Sequence, residues 1–263
     1  SGFIMYFFVF MFGVQVMRGV IEEKTNRIVE VIISSVKPFQ LMMGKVIGVA
    51  LVGLTQFLIW VFLTLGILLV AQVGLKPGPD GQAPAGISQS ILDPATGMNQ
   101  LDVQDLSQAQ KMFRDTIGRM ETINVPLLIG AFIFFFLGGY LLYASLFAAV
   151  GAAVDNDTDT QQFMLPITIP IILALFVMMS AMQTPNSALA VTFSLIPFTS
   201  MIVMMARLPY GVPDWQLILS GALLILTFIG TIWMAGKIYR TGILMYGKKV
   251  NYKELWKWIR YKG

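Results

Sequence analysis

The sequence contains no histidine and no cysteine in 263 residues. The lack of cysteine excludes disulfides, thiol nucleophiles and thiolate metal sites, and the lack of histidine removes the commonest general base. Charge is also scarce. Only 12% of residues are charged, against about 25% in a soluble domain. The net charge of +4 is no nucleic-acid footprint, because the basic residues cluster at the edges of apolar runs, so no nucleic-acid partner is expected. Alternating ten-residue strands are missing, which excludes a membrane barrel. What remains is apolar. Hydrophobic residues make up 56% of the chain, and several runs approach the ~20 residues that cross a bilayer. The fold class is an all-α polytopic membrane protein seated in a lipid bilayer.

Taken in order, residues 3–16 form a short first span, ended by Arg18, and residues 41–73 a long second one. Lys45 near its start can reach the interface, and Gly44 with Gly48 suits close helix packing. Residues 74–124 are a polar loop that opens on a Pro/Gly linker; residues 102–120 have the pattern of an amphipathic helix. A third span at 126–154 is rich in Gly, Ala and Ser, and an acidic turn, Asp155 to Asp159, follows it. That turn lacks the Gly and distal Glu of a calcium loop, so a short turn with helix N-cap residues is the expectation. A fourth span covers 161–183, with Pro166 and Pro170 inside, and a last one covers 217–235. Gln15, Gln56, Gln72 and Gln183 are the polar candidates within or at the ends of the spans. They suit helix gluing more than substrate binding. The tail, residues 237–263, is basic, with Trp256, Trp258 and Tyr261 as expected interfacial anchors. Within it Gly242 to Lys249 approximates a nucleotide loop but carries Lys where a magnesium-holding hydroxyl is required, and no strand precedes it.

Residues 17–45 stand apart. They carry Arg18, Glu22, Glu23, Lys24, Arg27, Glu30, Lys37 and Lys45 between two apolar runs. Ile21, Ile28, Val29 and Ile32 fall on one helical face, and Glu23 precedes Arg27 by four, the favourable order for a helical pair. The spacing predicts a short amphipathic helix over residues 20–36, outside the bilayer. Its mixed charges fit an ordinary solvated loop helix, or a surface meeting a protein partner. Pro38 suits the first turn of the next helix.

Residues 22–45, with Glu23, Arg27, Glu30, the pair Ser34 and Ser35, Pro38, and Gly44 followed by Lys45, resemble the coupling-helix region of type-2 ABC exporter permeases, in particular the sodium-extrusion branch. Residues 196–208, Ile-Pro-Phe-Thr-Ser followed by a Met-rich stretch and Arg-Leu, look like that family's re-entrant hairpin. The resemblance implies a type-2 ABC exporter transmembrane domain over 1–263, with five crossings and a re-entrant helical hairpin at 184–212. It implies ATPase-coupling roles for Glu22, Glu23, Arg27, Glu30 and Lys37, and hairpin roles for Pro197, Thr199, Ser200 and Arg207. It also implies separate ABC ATPase subunits that bind ATP and magnesium, a second permease copy or paralogue, and the bacterial cytoplasmic membrane. An earlier span and a large extracytoplasmic domain are expected ahead of residue 1.

The charge pattern agrees with that topology. The two most basic segments, 17–45 and the tail, both belong inside by the positive-inside rule, so an even number of spans separates them. A crossing at 188–206 would make the number odd, so the stretch around Pro197 is expected to re-enter. The spans hold almost no charge away from their ends, which disfavours an ion-driven transporter. A secondary transporter or channel working without an ATPase is the alternative. A membrane-embedded hydrolase has no nucleophile and base at matched depth. The chain is therefore not expected to be an enzyme by itself.

Overall fold

The computed structural model describes residues 2–28, 32, 35–74, 125–155, 157–245 and 251–260. Among them the regular elements are helical: α1 (Gly2–Thr25), α2 (Pro38–Gly74), α3 (Val125–Ala153), α4 (Asp157–Gln183), α5 (Ala188–Leu195), α6 (Pro197–Arg207), a 3-10 turn (Leu208–Tyr210), α7 (Asp214–Gly242) and α8 (Tyr252–Arg260). Five of these, α1, α2, α3, α4 and α7, are long and apolar enough to cross a membrane. The expected loop helix at 102–120, Glu30, Tyr261 and the side chain of Gln72 lie outside what the structure describes.

The chain divides into two units, one of Ser1–Gly53 with Pro126–Gly263 and one of Leu54–Val125. In the second unit the described part is the latter half of α2. Its large apolar side chains, such as Phe62, Ile67 and Val70, are exposed, as suits a surface in lipid. Thr64 returns its hydroxyl to the Trp60 carbonyl at 2.8 Å, which satisfies that hydroxyl within its own helix.

In the first unit α6 is the centre. Every residue from Thr199 to Arg207 is buried, and the helix touches α1, α4, α5 and α7. A helix covered on all sides belongs to a core. In lipid this core is held by van der Waals packing rather than by hydrophobic drive, so small residues set the closest approaches. Gly151 on α3 is such a place: a Cβ there would stand 2.7 Å from the Met17 carbonyl of α1. Ala144, Ala148 and Ala152 on α3 are fully buried. Tyr140 donates to the Val46 carbonyl at 2.9 Å and Tyr143 to the Phe198 carbonyl at 2.7 Å, tying α3 to α2 and α6.

The break between α5 and α6 follows from Pro197. A residue before proline is pushed out of the α region, and Ile196 sits at φ −70°, ψ 119°. Pro197 then opens α6, where its missing N–H costs nothing. Thr199 donates to the Phe193 carbonyl at 2.6 Å, and Ser187 caps α5 by accepting from the Ala190 N–H. At about 1.5 Å per residue the two helices span only about 12 and 16 Å, short of the ~30 Å hydrocarbon core. The chain enters at Pro185 and leaves at Arg207, whose Nε donates to the Pro185 carbonyl at 2.7 Å. Entry and exit are therefore adjacent, the geometry of a re-entrant hairpin.

Several expectations are corrected. The first helix does not stop near Val16; α1 runs unbroken to Thr25, so residues 20–25 belong to it and not to a separate amphipathic helix. A turn at Asn26 and Arg27 ends it, with Arg27 at φ 55°, so Glu23 and Arg27 are not a helical i,i+4 pair. At Gly44 and Gly48 no described residue outside the helix's own backbone lies within 4 Å of a Cβ position, so no close packing is seen there among the described residues. Gln15, Gln56 and Gln183 are exposed. The basic tail begins inside α7, and α8 folds back on the first unit. Trp258 is buried there, with its ring 3.1 Å from a Cβ position at Gly242, and Lys237 donates to the Ile259 carbonyl at 2.9 Å. Trp258 is thus a packing residue, whereas Trp256 is exposed beside Arg260.

Pro166 and Pro170 lie within α4 without ending it. Pro166 lacks the N–H that would bond the Gln162 carbonyl. Tyr252 of α8 supplies the replacement, donating its hydroxyl to that carbonyl at 3.3 Å, while its ring lies 4.9 Å from that of Phe163.

Candidate functional site

The last two turns of α1 present three different faces. Gly13, Met17, Val20 and Lys24 recur at spacings of four, three and four, so they form one stripe, and all are buried. The stripe faces α3. At its end the Lys24 ammonium, 1% exposed, donates to the Ala152 carbonyl at 2.8 Å and pairs with Asp155 Oδ1 at 2.8 Å. It meets the C-terminal end of α3, where carbonyls lack helical partners and a cation is favoured.

Gly19 and Glu23 occupy a second face, toward α2. Lys45 reaches across, donating to the Gly19 carbonyl at 2.6 Å and pairing with Glu23 at 2.6 Å. Lys45 clamps the start of α2 to the end of α1. Glu23, expected to face a partner, is engaged inside the chain.

The third face carries Arg18 and Glu22 and looks onto the start of α4. Glu22, Arg27 and Lys37 are exposed and form no ion pair among the described residues. The charges of this end thus divide into two sets. Lys24, Asp155, Glu23 and Lys45 fasten α1, α2 and α3 together, and Glu22, Arg27 and Lys37 point away.

Of the expected hairpin residues, Arg207 fastens the hairpin, and it is 1% exposed. Besides the Pro185 carbonyl its guanidinium donates to Ser194 Oγ of α5 and, at 2.9 Å, to Gln216 Oε1 of α7. Ser220 of α7 donates to the Ser194 carbonyl at 2.7 Å. Arginine is basic enough that the buried guanidinium keeps its charge. Pro197 and Thr199 shape the break, and Ser200 returns its hydroxyl to the Pro197 carbonyl. The hairpin is thus fastened by one buried cation with neutral acceptors, a geometry that positions backbone and offers no nucleophile or base.

Sequence reasoning missed Lys24, Asp155, Ser194 and Gln216. Lys24 could have been found from its register with Gly13, Met17 and Val20. Gln216 carries no comparable signal.

Comparison with known proteins bears on this arrangement. Residues 1–237 match the family model described as ABC-2 family transporter protein. The chain is 26% identical over 254 residues to the uncharacterised protein YhaP of Bacillus subtilis (strain 168), covering 96% of this chain and 52% of that protein. It is 25% identical over 258 residues to the uncharacterised protein MJ1024 of Methanocaldococcus jannaschii, covering 98% and 52%. The chain thus spans about half the length of these curated relatives. No solved structure matches it significantly. With five helices able to span, a re-entrant hairpin and a family match over most of its length, this multi-pass membrane protein belongs to the ABC-2 transporter family, as a membrane component of ABC transport.

Proposed function

We propose that this chain is the permease subunit of an ATP-driven exporter in the bacterial cytoplasmic membrane. Separate ATPase subunits bind ATP and magnesium and engage the connection between α1 and α2. A second permease copy or a paralogue completes the pathway. One observation carries the reading: at that connection Glu22, Arg27 and Lys37 are exposed and form no ion pair among the described residues, while their neighbours fasten three helices. Exposed charges of mixed sign suit a protein partner, and a displacement applied there would reach α1, α2 and α3 together. Glu30 belongs to the same set by sequence. Glu23 positions the connection through Lys45 rather than touching the partner. The export direction rests on the resemblance of residues 22–45 to the sodium-extrusion branch, and the cargo is not named by it.

The test is purification of the tagged full-length permease in mild detergent from cells expressing the candidate ATPase. A stoichiometric ATPase that is lost on Arg27→Glu or Glu30→Lys, with membrane insertion unchanged, is the expected result. A permease that purifies without ATPase and conducts gradient-driven flux alone would replace this reading with a channel or secondary transporter.

A further inference from the structure

The third face of α1 borders a groove of about 840 Å³ against the start of α4, within the ~300–1,000 Å³ range of small-molecule sites. Its lining is graded. Val14, Met17, Ile21 and Met164 are apolar, while Arg18, Glu22, Asn26, Thr160 and Gln161 are polar. Arg18 and Glu22 stand four apart, with the cation first. That is the weaker order for a helical pair, and neither forms an ion pair among the described residues. Opposite charges within about 6 Å of each other at Cβ are therefore both presented to one groove. From Val14 the same face of α1 continues through Phe10 to Phe7 and Phe3, the last two exposed. An apolar track thus leads from the charged end of the groove toward the middle of the span.

We propose that this groove binds one zwitterionic phospholipid, with its phosphate on Arg18, its ammonium on Glu22 and an acyl chain along Phe7 and Phe3. Charge complementarity selects this occupant. A phosphate alone would leave Glu22 opposed to it, and an amine alone would leave Arg18 opposed. A primary ammonium is preferred to a quaternary one because Glu22 can then accept hydrogen bonds. Asn26 and Gln161 offer hydrogen bonds to the remaining phosphate and glycerol oxygens. The site shares Glu22 with the proposed coupling set, while Arg18 lies outside it, so Arg18 variants test the lipid site separately.

The test is native mass spectrometry of the full-length permease with its partner subunits, released from nanodiscs of equimolar phosphatidylethanolamine, phosphatidylcholine and phosphatidylglycerol. One phosphatidylethanolamine per permease chain should survive activation that strips the remaining lipid. Arg18→Gln should lower its retention about tenfold, the scale of one lost hydrogen bond to a charged group. Arg18→Lys should restore most of it. Glu22→Gln should abolish the preference for phosphatidylethanolamine over phosphatidylglycerol. No retained lipid in the wild type, equal retention of phosphatidylglycerol, or an unchanged preference in Glu22→Gln would each overturn the proposal. The ATPase subunit in the same spectra reports the coupling reading separately.

Discussion

Lys24 and Arg207 are both buried cations, and they are solvated in opposite ways. Lys24 is neutralised by a carboxylate, Asp155, together with the carbonyl end of α3. Arg207 is held by neutral acceptors from three segments, the Pro185 carbonyl, Ser194 and Gln216. A compact ammonium suits a single acid at a helix end, whereas a planar guanidinium can meet separate acceptors with a rigid fork. The difference assigns different work. The Lys24 pair joins two spans through one charge contact, so loss of one partner strands the other. The Arg207 cluster spreads its load over three segments, so it fixes a shape.

The contrast is sharpest when one partner is removed. Asp155→Asn leaves Lys24 buried beside a neutral group and should cost about 3 kcal/mol, the lower end for a broken buried pair because the Asp155 side chain is 22% exposed. The double change Lys24→Met, Asp155→Asn should recover most of that in thermal unfolding in detergent. A double variant as unstable as the single would show that the pair does more than balance charge. Next in size, Arg207→Lys keeps the charge but cannot reach three acceptors, and about 2 kcal/mol should be lost. A thermal midpoint equal to wild type would mean that charge alone, not the fork, holds the hairpin. The smallest effect concerns a contact with no ionic component. Tyr252→Phe should cost about 0.5–1 kcal/mol. In a Pro166→Ala background, where an N–H again serves the Gln162 carbonyl, the same change should cost nearly nothing. Equal losses in both backgrounds would uncouple the proline from α8.

The five spans were legible because long apolar runs leave lipid as their only solvent, and Pro38 and Pro197 marked helix starts by the geometry of their rings. The end of α1 was misread for a physical reason. Arg18, Glu22, Glu23 and Lys24 look like the end of a span. Lys24 instead continues the buried stripe because its partner, Asp155, lies 131 residues on, beyond any local pattern. Glu23 offered a partner four residues away in Arg27 and took Lys45 instead, since the chain turns before Arg27. Gln216 was passed over because its value comes from the guanidinium beside it, not from its own neighbours in sequence. The hairpin's existence was readable from Pro197 and the charge rule, and its fastening was not.

The Arg207 cluster also bears on how the chain is built. Its acceptors come from segments made before it, Pro185 and Ser194, and from one made after it, Gln216. During synthesis the hairpin therefore emerges with a guanidinium that is one acceptor short. Its fastening is complete only once α7 has followed and supplied Gln216.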